Sequence, residues 1–241
     1  MPDALFAKPE LAAIYDLLDE QERPDLAPYL AMADEFGAHA VIDLGCGTGV
    51  LACRLAAHGK PVVGIDPAAA SLAVAKGKAH ADHVRWITGT AARLAGLRAD
   101  LITMTGNVAQ VFVSDDEWEA TLRACREALN PGGRLVFEVR DPAKEAWQGW
   151  NREQTYQSIE APGVGTVESW VELTSVQLPL VSFRYTFVFH ADGRVLTSDS
   201  TLRFRTQAEI ADALAHAQLT VEGVRGAPDR PGLEFVFVAR H

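Results

Sequence analysis

A continuous apolar run followed at once by alternating glycines most constrains what this chain can fold into. Residues 40–44 read Ala-Val-Ile-Asp-Leu and predict a buried strand, because strands that are covered on both faces are apolar throughout. Residues 45–49 place glycine at every second position, and a helical pattern then runs from Gly49 to His58. A glycine-rich turn of this kind lets the backbone approach a ligand that a Cβ atom would obstruct, beside the free amides of a helix start.

Further apolar runs alternate with helical patterns through the first two-thirds of the chain, which is typical of βαβ units and a parallel sheet. The predicted strands are, in order, 40–44, 62–65, 84–87, 100–104 and 134–139, with two final strands at 219–225 and 233–240. The predicted helices are 9–19, 25–36, 49–58, 66–76, one that opens with a capping box at Ser114–Glu117, and 206–217. We therefore predict a doubly wound, Rossmann-like α/β fold around a seven-stranded mixed sheet.

The pattern changes after Asp141, where hydrophobic and polar residues begin to alternate. Alternation predicts strands with one solvated face, here 166–177, 181–190 and 195–205. The dipeptide Asp192-Gly193 is a strong hairpin signal between the second and third of these strands. We predict a three-stranded antiparallel β-meander that leaves the main sheet at its ligand-binding edge and covers it as a lid.

Composition bounds the class of protein and its partners. The 241 residues are 48% hydrophobic and carry a formal net charge of −10, which suits one soluble α/β domain and disfavours a nucleic-acid partner. No apolar stretch approaches the roughly 18 to 20 residues that a membrane span needs, and the start of the chain lacks the pattern of a signal peptide. We expect a cytoplasmic protein without a membrane partner. The three cysteines form no CxxC pair, and the His80-x-x-His83 spacing lacks a third metal ligand, so we expect no metal site.

Asp66 ends the second predicted strand, about 20 residues beyond the glycine loop. In doubly wound folds this position brings a carboxylate to the ribose hydroxyls of a bound nucleoside. A carboxylate suits two neighbouring hydroxyl donors because both of its oxygens accept hydrogen bonds. Asp66 could also cap the following helix, with Pro67 at the first helical position, and the two roles are compatible.

Taken together, these motifs resemble those of class I S-adenosylmethionine-dependent methyltransferases. The pattern Asp43-x-Gly45-x-Gly47-x-Gly49 is similar to the first motif of that family, and Asp66 to its ribose-binding acid. The triplet 100–102 resembles the fourth-strand motif, and 129–135 resembles the turn into the fifth strand. The resemblance covers residues 38 to 141, and the final helix and two strands complete the family's fold.

The resemblance implies a set of contacts to S-adenosylmethionine. The residues implied are Tyr15, Asp43, Gly45, Gly47, Gly49, Asp66, Pro67, Ala68, Thr90, Ala91, Thr105, Gly106 and Asn107. Within this set, Gly45 and Gly47 would border the methionine part of the cofactor, and residues 105–107 would face the sulfonium and its methyl group. Tyr15 resembles a tyrosine that small-molecule members fold over the cofactor, although its pattern equally suits an ordinary aromatic of an amphipathic helix.

One position departs from the family's pattern. Many relatives have an aspartate after the glycine that follows the third strand, where it accepts from the adenine amino group. This chain has Thr90, Ala91 and Ala92 after Gly89. Backbone groups or the Thr90 hydroxyl are the candidates to replace that contact.

The layout divides the chain into four predicted parts. These are N-terminal cap helices at 1–37, a cofactor-binding core at 38–141, the inserted antiparallel lid at 142–205, and a C-terminal helix with two strands at 206–241. The insertion resembles in layout those of bacterial sugar N,N-dimethyltransferases and, more loosely, of glycine N-methyltransferase. That resemblance implies a small-molecule acceptor. The row of aromatic residues in the meander could instead serve a dimer, so we expect a monomer or a homodimer.

The acceptor and its contacts are the least constrained part of the prediction. Methyl transfer is an in-line displacement on an activated carbon, so orientation to roughly 3 to 3.5 Å is the enzyme's main task. An amine that binds neutral needs no strong base, whereas a hydroxyl more often does, and the sequence displays no dedicated catalytic base. Candidate substrate contacts are Tyr15, Asn107, Arg140, Trp147 and Trp150. The arginine could instead be a rim charge, and the tryptophans could instead be the meander's own core.

We therefore predict an S-adenosylmethionine-dependent methyltransferase that acts on a small molecule, with an amine preferred as the acceptor. Transfer to oxygen or carbon is the alternative within the same class. A noncatalytic relative that binds the cofactor for a structural or regulatory purpose is the alternative outside it.

Overall fold

A computed structural model describes residues 2–18 and 23–241 of the chain. The strands are β1 (Val41–Leu44), β2 (Val62–Asp66), β3 (Val84–Thr88), β4 (Ala99–Met104), β5 (Leu129–Arg140), β6 (Gln157–Ala161), β7 (Gly165–Gln177), β8 (Leu180–Phe189), β9 (Val195–Arg203), β10 (Thr220–Gly226) and β11 (Glu234–Arg240). The α-helices are α1 (Ala4–Ala7), α2 (Pro9–Leu18), α3 (Ala27–Glu35), α4 (Val50–Ala57), α5 (Ala69–Ala75), α6 (Asp115–Ala128), α7 (Arg152–Thr155) and α8 (Gln207–His216). Single 3₁₀ turns occupy Pro24–Leu26, Ala81–His83, Ala91–Leu94, Val108–Val111, Pro142–Lys144 and Ala146–Gly149.

The main sheet has seven strands in the order β10-β11-β5-β4-β1-β2-β3, and β11 runs antiparallel to the other six. This confirms the predicted mixed, doubly wound sheet. Its strands are buried on both faces, since β1 and β4 are apolar at almost every position and have almost no exposed surface. The order β4-β1-β2 places the carboxyl ends of these three parallel strands side by side, where doubly wound folds bind ligands.

Two apolar cores cover the faces of the main sheet. One core packs α6 and α8 against Phe137 and Phe237, whose rings stack 5.4 Å apart, with Trp118 against the edge of Phe137. The other core packs α3 and α4 against the opposite face, around Tyr29 and Leu51. Successive residues of the central strands therefore face different cores, as Val136 and Phe137 of β5 do.

The second sheet has four antiparallel strands in the order β6-β7-β8-β9. The meander prediction was right for β7, β8 and β9 and wrong in number, because it omitted β6. This strand reads Gln-Ser-Ile-Glu-Ala, has only five residues and lies at the edge of the sheet, so its apolar signal is short. The alternation predicted over 181–190 is confirmed on β8, since Val181, Phe183, Phe187 and Phe189 are buried and Tyr185 is half-buried.

The N-terminal segment lies between the second sheet and the main domain. Leu5, Leu11 and Ile14 pack against Phe187 and Phe189 of the second sheet. On the other side, the Ser71 hydroxyl at the start of α5 donates a hydrogen bond to the Phe6 carbonyl over 3.0 Å. The segment therefore joins the two sheets. The predicted end of its helix at Asp19 falls outside the described residues.

Three local predictions need correction. The helix predicted from Asp66 begins three residues later, because the Asp66 carboxylate accepts from the Ala68 amide and so holds an extended turn before α5. Ser114 caps α6 by accepting from the Glu117 amide, but only Thr206–Glu209 at α8 forms the complete reciprocal capping box. Strand β5 begins at Leu129 rather than Arg134, since α6 passes directly into it.

We expect Phe137→Ala to lower the free energy of unfolding by about 3–5 kcal/mol, because a fully buried ring in contact with Trp118 and Phe237 leaves a cavity. Urea denaturation would measure the change. Val195→Ala is the control, since Val195 is 57% exposed and should shift unfolding by less than about 0.5 kcal/mol. Similar losses in the two variants would contradict this description of the core.

Candidate cofactor and acceptor site

The predicted site residues gather at the edge of the main sheet where its parallel strands end, which we call the carboxyl edge. The glycine loop follows β1, Asp66 ends β2, Thr88 ends β3, and residues 105–107 follow β4. Because these strands are parallel and adjacent, their ends meet at one edge although they are far apart in sequence. The structure therefore brings the glycine loop, Asp66 and the β4 turn onto one surface.

The glycine loop has three left-handed residues, and each glycine has a different surrounding. A Cβ atom on Gly45 would come within 2.6 Å of the Val108 side chain, and one on Gly49 within 2.5 Å of Trp86. A Cβ atom on Gly47 would meet nothing within 4 Å, although Gly47 has φ +53°. Gly45 and Gly49 are therefore required by protein packing, whereas Gly47 faces open space at the carboxyl edge.

Asp66 is positioned by two backbone amides. The Gly47 amide donates to Oδ2 over 2.8 Å and the Ala68 amide donates to Oδ1 over 2.7 Å. Burial raises the pKa of this carboxyl group, and the two amides oppose that effect. Each carboxylate oxygen can accept more than one hydrogen bond, so Asp66 can still accept from ligand hydroxyls.

Asp43 is buried within the sheet beside the glycine loop. Its Oδ1 accepts from the Thr103 hydroxyl over 3.0 Å, and its Oδ2 has no hydrogen-bond partner among the described residues. Burial raises the pKa of Asp43 to about 7, with the nearby Asp66 carboxylate adding to the rise. The residue lies one layer beneath the loop, and its unpaired oxygen is a buried acceptor.

The N-terminal helix α2 reaches over the glycine loop. Asp16 accepts from the Thr48 hydroxyl over 2.5 Å through Oδ1 and pairs with the Lys78 ammonium through Oδ2. Its neighbour Tyr15 is half-buried and packs its ring 5.3 Å from that of Phe6. This arrangement places Tyr15 beside the loop, and its contact with the cofactor stays a prediction.

A turn with two consecutive left-handed residues follows β4. Gly106 has φ +67° and Asn107 has φ +61°, and the two amides point at the same oxygen, Glu138 Oε1, over 2.7 and 3.3 Å. The Asn107 side chain is buried, donates from Nδ2 to Glu234 Oε1 over 3.3 Å, and leaves Oδ1 without a partner among the described residues. The amide oxygen of Asn107 is therefore a buried acceptor that no described residue uses.

Arg140 ends β5 and is engaged by protein groups. Its guanidinium donates to Gln110 Oε1 over 3.1 Å, lies 3.7 Å from a Glu234 oxygen and sits above the Trp150 ring. Burial lowers the pKa of Arg140, and the Glu234 carboxylate opposes this. The side chain therefore already has an acidic partner, and a role in clamping an acidic acceptor stays a prediction.

The two predicted substrate tryptophans pack into a small aromatic cluster under the second sheet. Trp147 is buried and meets the Phe204 ring edge-on at 4.6 Å, and Trp150 is half-buried against Phe183 at the same distance. Trp150 also contacts Arg140 near the end of β5. The cluster forms the interior of this region, and only Trp150 retains appreciable exposed surface toward solvent.

The remaining predicted residues border the β2 and β3 ends. Pro67 and Thr90 are exposed, whereas Ala68 and Ala91 are buried. Thr90 precedes a 3₁₀ turn and no carboxylate occupies this position, so the adenine contact stays a prediction. Among the described residues, no group of three His, Cys, Asp or Glu side chains could hold a metal ion.

Three buried polar residues at the carboxyl edge had no predicted role. Glu138, Glu234 and Tyr29 come from β5, β11 and α3, and Tyr29 donates from its hydroxyl to Glu138 Oε2. A sequence signal existed for the acids, because each is a single glutamate within an apolar strand pattern, Val-Phe-Glu-Val and Leu-Glu-Phe-Val. No local signal marks Tyr29 as their partner.

Comparison with known proteins agrees with this geometry. The methyltransferase domain family matches residues 41–133, which contain the glycine loop, Asp66 and the β4 turn. The cypemycin N-terminal methyltransferase of Streptomyces sp is 26% identical over 88% of this chain and 86% of its own length. A ubiquinone/menaquinone biosynthesis C-methyltransferase of Rubrivivax gelatinosus is 32% identical, and the chain spans about half of its length, 54%.

Solved structures share the whole fold, including the second sheet. The CcbJ methyltransferase of Streptomyces caelestis superposes with a TM-score of 0.79 at 22% identity and 95% coverage of both chains. The sugar N-methyltransferase KedS8 of Streptoalloteichus sp superposes with a TM-score of 0.73 at 20% identity, over 94% of this chain and 93% of its own. The fold is that of the class I, Rossmann-like methyltransferases with an inserted antiparallel sheet.

Residues 41–133 of the chain thus match a methyltransferase domain, and proteins that share the fold use S-adenosylmethionine as their cofactor. The residues present fit that cofactor, because Gly47 leaves open space beside the loop and Asp66 retains acceptor capacity at the strand end. Among the described residues, no helix has both the length and the apolar character that crossing a membrane requires.

We expect Gly47→Val to weaken binding of S-adenosylhomocysteine at least ~10-fold, because the new side chain would occupy the open space beside the loop. Gly37→Val is the matched control, since Gly37 has a similar φ of +59°, also has nothing within 4 Å, and lies between α3 and β1. Both variants bear the strain of a left-handed residue with a side chain. Titration calorimetry would compare them, and equal losses of affinity would contradict a ligand at Gly47.

We expect Asp43 to weaken the fold progressively as pH rises from about 4 to 8. Its folded pKa of about 7 lies above its unfolded value of 3.8. Between these values the carboxyl group of the unfolded chain ionises while that of the folded protein keeps its proton, so the free energy of unfolding falls as pH rises. The free energy of unfolding of Asp43→Asn should therefore rise relative to wild type by roughly 4 kcal/mol over this interval.

Urea denaturation at several pH values would measure that difference. Asp199→Asn is the control, because Arg184 lowers the pKa of the exposed Asp199, which gives a small dependence of opposite sign. A wild-type minus Asp43→Asn difference that stays constant with pH would show that Asp43 is ionised in the fold throughout.

Proposed function

We propose that this methyltransferase transfers the methyl group of S-adenosylmethionine to an amine nitrogen of a small molecule. The observation that carries the proposal is Asn107 Oδ1, a buried hydrogen-bond acceptor without a partner among the described residues, at the turn after β4. An amine that attacks the methyl carbon with its lone pair still has an N–H to donate to such an oxygen. A carbon acceptor has no comparable donor.

The acidic residues beside the turn favour an amine over a hydroxyl. A hydroxyl acceptor would more often need a base to remove its proton. Glu138 accepts from Tyr29, Gly106 and Asn107, and Glu234 accepts from Asn107 and Arg230. Both oxygens of Glu138 and Oε1 of Glu234 are committed to protein donors, so Glu138 is not placed as a free base, whereas an amine that binds neutral needs none.

The names of similar proteins also support a nitrogen acceptor. The cypemycin relative is named for an N-terminal methylation and KedS8 for the N-methylation of a sugar. The Rubrivivax relative is named as a C-methyltransferase and matches about half of the chain, so transfer to carbon remains the alternative that the experiment must exclude.

When bound, S-adenosylmethionine supplies a methyl group that is already activated on a sulfonium. We propose that Gly45, Gly47 and Asp66 hold the cofactor and that residues 105–107 border the methyl group. Pro67, Ala68, Thr90 and Ala91 would lie near the adenine, while Tyr15 from α2 would cover the cofactor. The second sheet and α2 then exclude water from the acceptor, which serves an enzyme that acts mainly by orientation.

The acceptor class can be tested with matched pairs of small molecules that carry either an amino or a hydroxyl group at the same position, such as an amino sugar and its parent sugar. We expect S-adenosylhomocysteine to form only with the amino members, and mass spectrometry to locate the methyl group on nitrogen. Methylation of the hydroxyl members alone, or of a carbon atom, would overturn the proposal.

Asn107→Gly tests the residue whose unpaired oxygen supports the proposed amine acceptor. Glycine tolerates φ +61° and removes only the side chain, so kcat/KM for the amine should fall about 10- to 100-fold through the lost hydrogen bond. Affinity for S-adenosylhomocysteine should stay within about 3-fold, since the glycine loop and Asp66 are untouched. The control is Gly223→Ala on β10, because a Cβ atom on Gly223 would meet nothing within 4 Å. Gly106→Ala would be a poor control, since Gly106 is left-handed.

A further inference from the structure

The turn after β4 places two consecutive residues in the left-handed region. Gly106 has φ +67° and Asn107 has φ +61°, a conformation that glycine and asparagine adopt more readily than other residues. The two residues follow the strand directly, and one buried side chain accepts hydrogen bonds from both of their backbone amides.

The holding group is the Glu138 carboxylate. Consecutive amides in this conformation form a small concavity that attracts an anion, and here both amides converge on Glu138 Oε1. The other oxygen, Oε2, accepts from the Tyr29 hydroxyl of α3, and both side chains are buried. Glu138 is therefore an internal anion that links the turn to the helix that covers this face of the sheet.

The side chain of Asn107 is held separately from its backbone. Its Nδ2 donates to Glu234 Oε1, an oxygen that also accepts from the Arg230 guanidinium over 2.7 Å. The amide plane of Asn107 thereby presents Oδ1 as the one side-chain atom of this residue that the described residues leave unpaired. Two buried acids from neighbouring strands thus determine both the backbone and the side-chain orientation of Asn107.

We propose that Glu138, assisted by Tyr29, is a positioning residue for methyl transfer, which holds the Gly106–Asn107 turn in the conformation that aligns the acceptor with the methyl group. The hydrogen bonds alone support the role of Glu138 in holding the turn. Its role in aligning the acceptor also rests on the proposed function. Glu138 acts here as a hydrogen-bond acceptor, with Oε1 bonded to two amides and Oε2 to the Tyr29 hydroxyl. Its contribution is geometric, and small displacements of a reacting group cost large factors in rate.

Two nearly isosteric variants separate this role from packing. In Glu138→Gln a carboxamide oxygen can still accept from both amides, so kcat should stay within about 5-fold of wild type. In Glu138→Met the volume is similar but no oxygen remains, so kcat should fall roughly 30- to 100-fold. Affinity for S-adenosylhomocysteine should change less than about 3-fold in both. Glu222→Gln is the control for loss of one carboxylate, because Glu222 of β10 forms an exposed ion pair with Arg134 of β5.

Hydrogen exchange provides a measurement that does not depend on turnover. The Gly106 and Asn107 amides should be protected in wild type and in Glu138→Gln, and should exchange at least ~10-fold faster in Glu138→Met. If Glu138→Met does not fold, Tyr29→Phe removes only the hydroxyl that holds Oε2, and it should produce a smaller increase in exchange and a several-fold loss of kcat.

The outcomes distinguish this inference from the proposed function. Unchanged exchange at Gly106 and Asn107 in Glu138→Met would overturn the inference whatever the acceptor is. A lowered melting temperature with kcat unchanged would also overturn it, since Glu138 would then be only structural. Fast exchange in Glu138→Met in an enzyme that methylates no amine would support the role of Glu138 at the turn and refute the amine acceptor.

Discussion

The parallel pairing of β1 with β2 and β4 is the constraint on which the rest of the site depends. This register sets Asp43 beside Gly64 on one side and Thr103 on the other. Once these strands are aligned, the loops that follow them must open at the same edge, because each strand ends there. The glycine loop, Asp66 and the β4 turn become neighbours as a consequence of backbone hydrogen bonding between strands, and no direct contact among the three loops is needed to assemble them.

Buried carboxylates then shape the loops at that edge. Asp66 accepts from the Gly47 and Ala68 amides, and Glu138 accepts from the Gly106 and Asn107 amides. In both cases a strand-end acid organises backbone that has no regular partner, since an unpaired buried amide is costly. A buried acid therefore organises two neighbouring turns of the carboxyl edge, from β2 in one case and from β5 in the other.

Much of the fold was predictable because its signals are local. The alternation of hydrophobic and polar residues identified β8, and continuous apolar runs identified β1 and β4. The predictions failed where the hydrophobic pattern is short or where a tertiary contact decides where an element begins. Strand β6 has five residues at a sheet edge, and α5 begins late because Asp66 turns its carboxylate toward Ala68 instead of capping a helix from its own position.

The sequence by itself determined the strand, the glycine loop and the helix that follow one another at residues 41–57, since hydrophobic periodicity and glycine's freedom at positive φ act over a few residues. Only the tertiary structure decided the surroundings of Asn107. Its partners lie on β5 and β11, and Tyr29 of α3 bonds the acid on β5. These groups meet because the sheet order places β5 between β4 and β11 with α3 across one face. Burial of carboxylates depends on that packing, so no pattern within one segment could reveal which acid would hold which turn.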